Sequence, residues 1–287
     1  MARSLNYFPK LSLLLLLALC ACQQKGSLPL YQKEIPAADH EQLAQRMMKG
    51  AFNYYQGSAA QQFILEEAQE YDPLNATIHR EIGVPYLKRG FAVEFEEYYK
   101  KATELDPVDW QGWRGYLYLF FYRDYERALA DFNATDTLTP DFVDYPQSMS
   151  VDFMRGIIFL QTNRLDQALF YLDKYIQHEM DGPGFDYIDP KGFYYQGITL
   201  YRMKKVEQAK TAFERAMSLD KRNANLRYWL AKIALQEGDT STATALLTEA
   251  KTQWQLGYHY TRPYVEDFFQ IYWPDLLALE AEVERLK

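Results

Sequence analysis

Residues 190–223 read PKGFYYQGITLYRMKKVEQAKTAFERAMSLDKRN, and residues 224–257 follow without a gap as ANLRYWLAKIALQEGDTSTATALLTEAKTQWQLG. Set one above the other, these two 34-residue strings align Gly197 with Ala231, Ala209 with Ala243 and Ala216 with Ala250. The bulky Phe213 falls over Leu247. Outward from this pair the same interval recurs. Ala68 to Ala102 and Pro73 to Pro107 are each 34 residues, and Pro107 to Pro140 is 33. Gly156 to Gly197 and Ala168 to Ala209 are 41, and Ala128 to Ala168 is 40, so the array is interrupted by two insertions of six or seven residues. Self-similarity at such a period is the mark of stacked supersecondary units. Small residues at fixed places let paired helices approach closely, and bulky ones fill the gaps between them. Proline near the end of a unit stops the second helix, because it lacks an N–H and clashes with the preceding turn. One helical hairpin cannot bury its own apolar face, so the units must stack.

These units resemble the tetratricopeptide repeat, a 34-residue helix–turn–helix with small residues at positions 8, 20 and 27 and bulky ones at 4, 7, 11 and 24. Unit 190–223 has Phe193, Gly197, Leu200, Ala209, Phe213 and Ala216 at the expected places. Unit 224–257 has Leu230, Ala231, Gly238 in the turn, Ala243, Leu247 and Ala250. Unit 76–109 carries Ile82, Gly83, Tyr86, Tyr99, Ala102 and Pro107, with Phe95 where a small residue is usual. Unit 149–182 carries Gly156, Phe159, Ala168 and Leu172, with Tyr175 departing at position 27. Residues 42–75 lack the small residues at 8 and 20, and the first helix of 109–142 fits either of two registers one residue apart. The resemblance implies an all-α, right-handed solenoid of six repeats over 42–257, with insertions near 141–148 and 179–189. Residues 258–287 are expected to cap it, because Leu276, Leu277, Leu279, Ala281, Val283 and Leu286 among charged residues make an amphipathic segment after Pro274.

The N-terminus reads as an address. Arg3 and Lys10 precede the apolar run 11–19, which is too short to span a bilayer, so a secretory signal is expected. The two cysteines of the chain, Cys20 and Cys22, lie at its end. Leu19-Cys20-Ala21-Cys22 resembles a bacterial lipobox. That resemblance implies cleavage after residue 21 and lipid on Cys22, with residues 22–41 as a flexible tether. Multiple acyl chains would anchor the protein to a membrane, since each buried methylene adds about 0.8 kcal/mol. No Asp follows Cys22, so the outer membrane, facing the periplasm, is the expected location.

The net charge is −8, and it becomes −10 once Arg3 and Lys10 leave with the first 21 residues. Such a chain lacks the basic footprint that nucleic-acid binding needs. There is no Gly-rich phosphate loop, no His-Glu-x-x-His, no zinc-type cysteine pair and no Gly-x-Ser-x-Gly. His40, His79, His178 and His259 fall in different units and read as packing or surface residues. Asp181, Asp186 and Asp189 in the second insertion have the wrong spacing for a calcium loop. No catalytic residue, metal or cofactor is expected.

The outlying feature is aromatic content: 24 Tyr, 17 Phe and 5 Trp. In the tetratricopeptide family, first-helix positions 2, 5, 9, 12 and 13 line the concave groove. Here they include Arg80 and Lys88; Phe153; Tyr194, Tyr201 and Arg202; Tyr228 and Lys232; and, in one register, Trp113. Tyr with Lys and Arg suits extended peptides and carboxylates. The chaperone-tail clamp of the family is not expected, because Val84 stands where its Asn would follow Arg80. The expectation is a non-catalytic adaptor that holds a protein or peptide in the groove. The competing reading is a glycan or peptidoglycan-fragment binder, in which the aromatics stack on sugars. Phe142, Tyr145 and Phe185 in the insertions are the second choice of contact.

Overall fold

The computed structural model describes residues 35–286. The signal, the lipobox with Cys22, and most of the tether lie outside the described residues. Among the described residues there are thirteen α-helices and no strand. Twelve form six antiparallel pairs: α1 (His40–Ala51) with α2 (Ala59–Tyr71), α3 (Ala76–Lys88) with α4 (Ala92–Leu105), and α5 (Pro107–Leu117) with α6 (Tyr125–Leu138). Then come α7 (Val151–Gln161) with α8 (Leu165–Asp181), α9 (Pro190–Arg202) with α10 (Val206–Leu219), and α11 (Ala224–Gln236) with α12 (Thr240–Gln255). Each pair stacks on the next, which is the solenoid the repeats imply. The first helix begins at His40, after a 3-10 turn at Ala37–Asp39, so helical structure starts slightly before residue 42.

Local chemistry starts the helices. The side chains of Asn75, Asp106, Ser150, Asp189, Asn223 and Asp239 each accept a backbone N–H of their first turn. Such caps are each worth about 1 kcal/mol, and Pro107 and Pro190 add a preset first residue. Turns between paired helices need a left-handed residue. Gly238 supplies it at φ +82°, while Asn163 and Lys204 adopt the same conformation without being glycine.

The small positions do what the repeat demands. A Cβ on Gly156 would sit 2.7 Å from Leu172, and one on Gly197 would sit 2.7 Å from Phe213. Gly115 meets Phe132 in the same way, at 2.7 Å. That contact settles the two-register unit. Gly115 at position 8 sets the register of the first helix by a unit start at 108, while Ala128 at position 20 sets that of the second by a start at 109. The extra residue is absorbed in a π-helical turn at Tyr118–Tyr122, which ends at left-handed Arg123. Single π turns inside α-helical hairpins are a known way to house one insertion.

Residues 258–287 do not act as one cap. Trp273–Leu286 forms α13, which buries Leu276, Leu279 and Val283 against α11 and α12. Tyr258–Tyr272 carries no helix or strand and takes another course, described next.

Candidate functional site

The segment 258–272 is a strap that enters the concave face and doubles back. It leaves α12 with Tyr258, whose carbonyl accepts Ala224 N–H at 2.8 Å, and Tyr260, whose N–H donates to Asn225 Oδ1 at 3.1 Å. Arg262 then reaches α5, donating to Tyr116 Oη at 3.2 Å and stacking 3.6 Å over Phe120. The tip is Tyr264, left-handed at φ +70°, whose ring lies 5.3 Å from Lys88 Nζ on α3. On the return, Asp267 and Phe268 are buried, and Phe268 packs 5.4 Å from Phe120. Trp254 Nε1–H donates to Ile271 O at 3.1 Å and tethers the end.

Asp267 is 5 % exposed. It accepts from Lys191 Nζ and from Tyr195 Oη, and lies 4.0 Å from Arg262 Nε. Tyr194 is wholly buried. Its hydroxyl donates to Phe269 O at 2.7 Å and accepts from Asn225 Nδ2 and Trp229 Nε1 at 3.3 Å each. The strap is thus held by one buried ion pair and one fully used phenol.

Eight of the nine groove residues read from the sequence separate into three groups. Arg80, Lys88 and Trp113 come together at the open end, around a cleft of about 380 Å³ that Tyr116, Arg262 and Tyr264 also line. Tyr194 and Arg202 meet the strap; the Arg202 guanidinium sits 4.8 Å over Phe269. Tyr201, Tyr228 and Lys232 gather round Trp229, with Lys232 Nζ 5.1 Å from its ring. Two assignments are corrected. Phe153 is core, packed on Tyr175 and Tyr195 at 5.1 and 5.7 Å. Tyr194 is covered by the strap and is closed to any partner while the strap is seated. Both corrections have one cause: apolar and aromatic positions on first helices are consumed by packing before they can face solvent.

Sequence reasoning missed Arg262, Tyr264 and Asp267. Their signal was present. Between the last repeat and Pro274 stand Tyr258, Tyr260, Tyr264, Phe268, Phe269 and Tyr272, too many rings for an exposed linker. The insertion aromatics divide as well. Phe142 and Tyr187 are exposed, Phe185 packs 5.8 Å from Phe193, and Tyr145 Oη donates to Glu179 at 2.6 Å across the two insertions. Among the described residues no three His, Cys, Asp or Glu side chains gather as metal ligands would.

Burial pushes the Tyr194, Tyr195 and Tyr260 phenols well above 10, and the Asp267 carboxylate adds to the shift in each. A raised phenol keeps its proton in the fold and loses it first when unfolded. Stability is therefore full below about pH 10 and falls as pH rises beyond it, by about 1.4 kcal/mol per pH unit for each such tyrosine. Absorbance at 295 nm should show a late-titrating set of tyrosines that appears together with loss of near-ultraviolet dichroism. Ordinary titration of every tyrosine near pH 10 would contradict this burial.

Comparison with known proteins agrees with this geometry. Residues 200–253 match the tetratricopeptide repeat family model. The structure is similar to PilF of Pseudomonas aeruginosa at a TM-score of 0.58 and 20% identity, covering 76% of this chain and 96% of that one. It is similar to PilW, a type IV pilus biogenesis factor, at 0.57 and 16%, covering 76% and 94%. A tetratricopeptide repeat protein from Parabacteroides merdae aligns at 0.50 and 16%, over 92% of this chain and 89% of its own. A search of curated proteins gives no match. At these identities the likeness shows the fold, a tetratricopeptide-type solenoid. Proteins built on these repeats typically serve as protein-interaction adaptors.

Proposed function

We propose that this protein is a non-catalytic adaptor, lipid-anchored through Cys22 to the periplasmic face of the outer membrane, that binds an extended segment of a protein partner on its concave face. One observation carries the reading: the concave face already accommodates an extended chain, its own strap, and leaves the α3–α5 end open as a cleft. The strap covers the stretch facing α9 and α11 and its tip borders the cleft at α3 and α5, so the partner enters at Arg80, Lys88 and Trp113 beside that tip. The surface there is rigid helix walls with long cationic side chains and rings, which suits main-chain and side-chain capture with little reorganisation.

The test is capture from native membranes with variant bait. Wild type should retain a partner that Trp113→Ala loses, while Tyr201→Ala, on the far cluster, keeps it. Cys22→Ser should move the protein from the membrane to the soluble fraction. Retention by every concave-face variant would refute groove binding, and a wild type that takes up no fatty-acid label would refute the anchor.

A further inference from the structure

The strap displays what the concave face selects. At its centre stands an acid followed by two rings. Asp267 is received by Lys191 and Tyr195, with Arg262 4.0 Å away. Phe268 lies under the Arg123 guanidinium, 3.8 Å from it, and against Phe120. Phe269 lies under Arg202. The recognition is therefore a carboxylate taken by a cation and a phenol, next to a ring covered by a guanidinium. Both parts are strengthened by burial, because a charge-assisted hydrogen bond and a cation–π contact each gain when water is excluded.

Cations and rings come together once more at the strap's tip, where Arg262 and Tyr264 of the strap are themselves part of the wall. Arg80 sits 5.4 Å from Trp110 and 5.3 Å from Trp113. Lys88 Nζ sits 5.3 Å from Tyr264, and Arg262 lies 5.5 Å from Tyr116. Of these, Arg80, Lys88, Trp113, Tyr116, Arg262 and Tyr264 wall the cleft of about 380 Å³, within the range of about 300–1,000 Å³ typical of ligand sites. Three cations share it. Arg80 is ion-paired with Glu81, though its Nε makes no hydrogen bond among the described residues, and Arg262 is held by Tyr116, by Met149 and, at 4.0 Å, by Asp267. Lys88 is exposed and donates to Gln56, a neutral acceptor. Of the three, Lys88 has no ion pair among the described residues, and an incoming carboxylate would give it one. The protein as a whole is acidic, so this cationic cleft is local and set against the overall charge.

We infer that the cleft is a subsite for an acidic residue adjacent to an aromatic one in an extended partner segment, the pairing that Asp267 and Phe268 make one register along. The carboxylate takes Lys88, with Arg80 and Arg262 adding positive field beside it, and the ring enters between Trp113 and Tyr264. The inference rests on the adaptor reading and names the chemistry of its partner. Because Arg262 and Tyr264 belong to the strap, the subsite is complete only with the strap seated.

The probe is a blocked hexapeptide, acetyl-Gly-Gly-Asp-Phe-Gly-Gly-amide, titrated by calorimetry into the full-length protein in detergent. Binding should weaken about tenfold or more when Asn replaces Asp in the peptide, and also with Ala in place of Phe. Lys88→Met should reproduce the loss of the acid preference without changing the melting temperature, since Lys88 is exposed. Added salt should weaken the Asp peptide more than the Asn peptide. Equal affinity for the two peptides, absence of binding, or binding of a chitin oligosaccharide in place of the peptide would each overturn the inference. Failure here is separable from failure of the adaptor reading. A membrane partner lost with Trp113→Ala, with no preference for the Asp peptide, removes only the acid–aromatic assignment.

Discussion

Tyr194→Ala should cost about 3–5 kcal/mol of stability, the usual range for deleting a large buried ring, and should release the strap. The ring is fully buried and lies edge-on to Tyr260 at 4.9 Å, so its removal leaves a cavity between α9 and the strap. Its hydroxyl also serves three groups. Without it, Phe269 O, Asn225 Nδ2 and Trp229 Nε1 each lose a partner in a buried setting. Tyr194→Phe isolates that part: the ring stays, and the expected loss is about 1–3 kcal/mol from the orphaned polar groups. Urea denaturation gives both values. Amide exchange over 258–272 should rise in Tyr194→Ala far more than over α9 itself. A Tyr194→Ala protein as stable as wild type would mean that the strap does not seal this face.

The second large effect is expected at Asp267. Asp267→Ala removes one half of a buried ion pair and leaves Lys191 beside the Tyr195 phenol with no carboxylate. Breaking such a pair from one side costs about 3–5 kcal/mol, because the remaining charge stays desolvated. Lys191 retains some exposure, so part of that cost is relieved by water, and the lower end of the range is expected. The double variant Lys191→Met with Asp267→Ala should recover part of the loss, since no unpaired charge then remains. Limited proteolysis reads the outcome directly. Phe268 becomes a chymotrypsin site when the strap lifts, whereas it is buried against Phe120 in the wild type. An Asp267→Ala strap that resists chymotrypsin as the wild type does would show that the aromatic contacts alone hold it.

The repeats were legible because their demands are local. Gly156 must face Leu172, and Gly197 must face Phe213, at spacings set by one helical hairpin. A hairpin brings residues about 16 apart together every time, so the constraint prints a period on the chain. The unit at 108–142 was ambiguous for the same reason: one extra residue shifts the phase between its two helices, and only the π turn at Tyr118–Tyr122 shows where the shift is taken up.

The site was legible in part. Arg80, Lys88 and Trp113 were found from family groove positions and do meet at the cleft. Phe153 and Tyr194 were assigned to the same groove by the same rule, yet the structure buries them. Position in a repeat says which side of a helix a residue lies on. It does not say whether a distant segment will cover that side.

From its residues alone this chain determines an all-helical array of paired helices, their turns and caps, and an amphipathic last helix, since each follows from contacts within a few dozen residues. Only the tertiary structure decides that 258–272 turns back along the concave face, that Arg262 joins Tyr116 across 146 positions, and that three cations border one open cleft. Those contacts have no period. They arise because Tyr260 and Phe268 are withdrawn from water, and the concave face supplies the apolar and cationic surface that receives them.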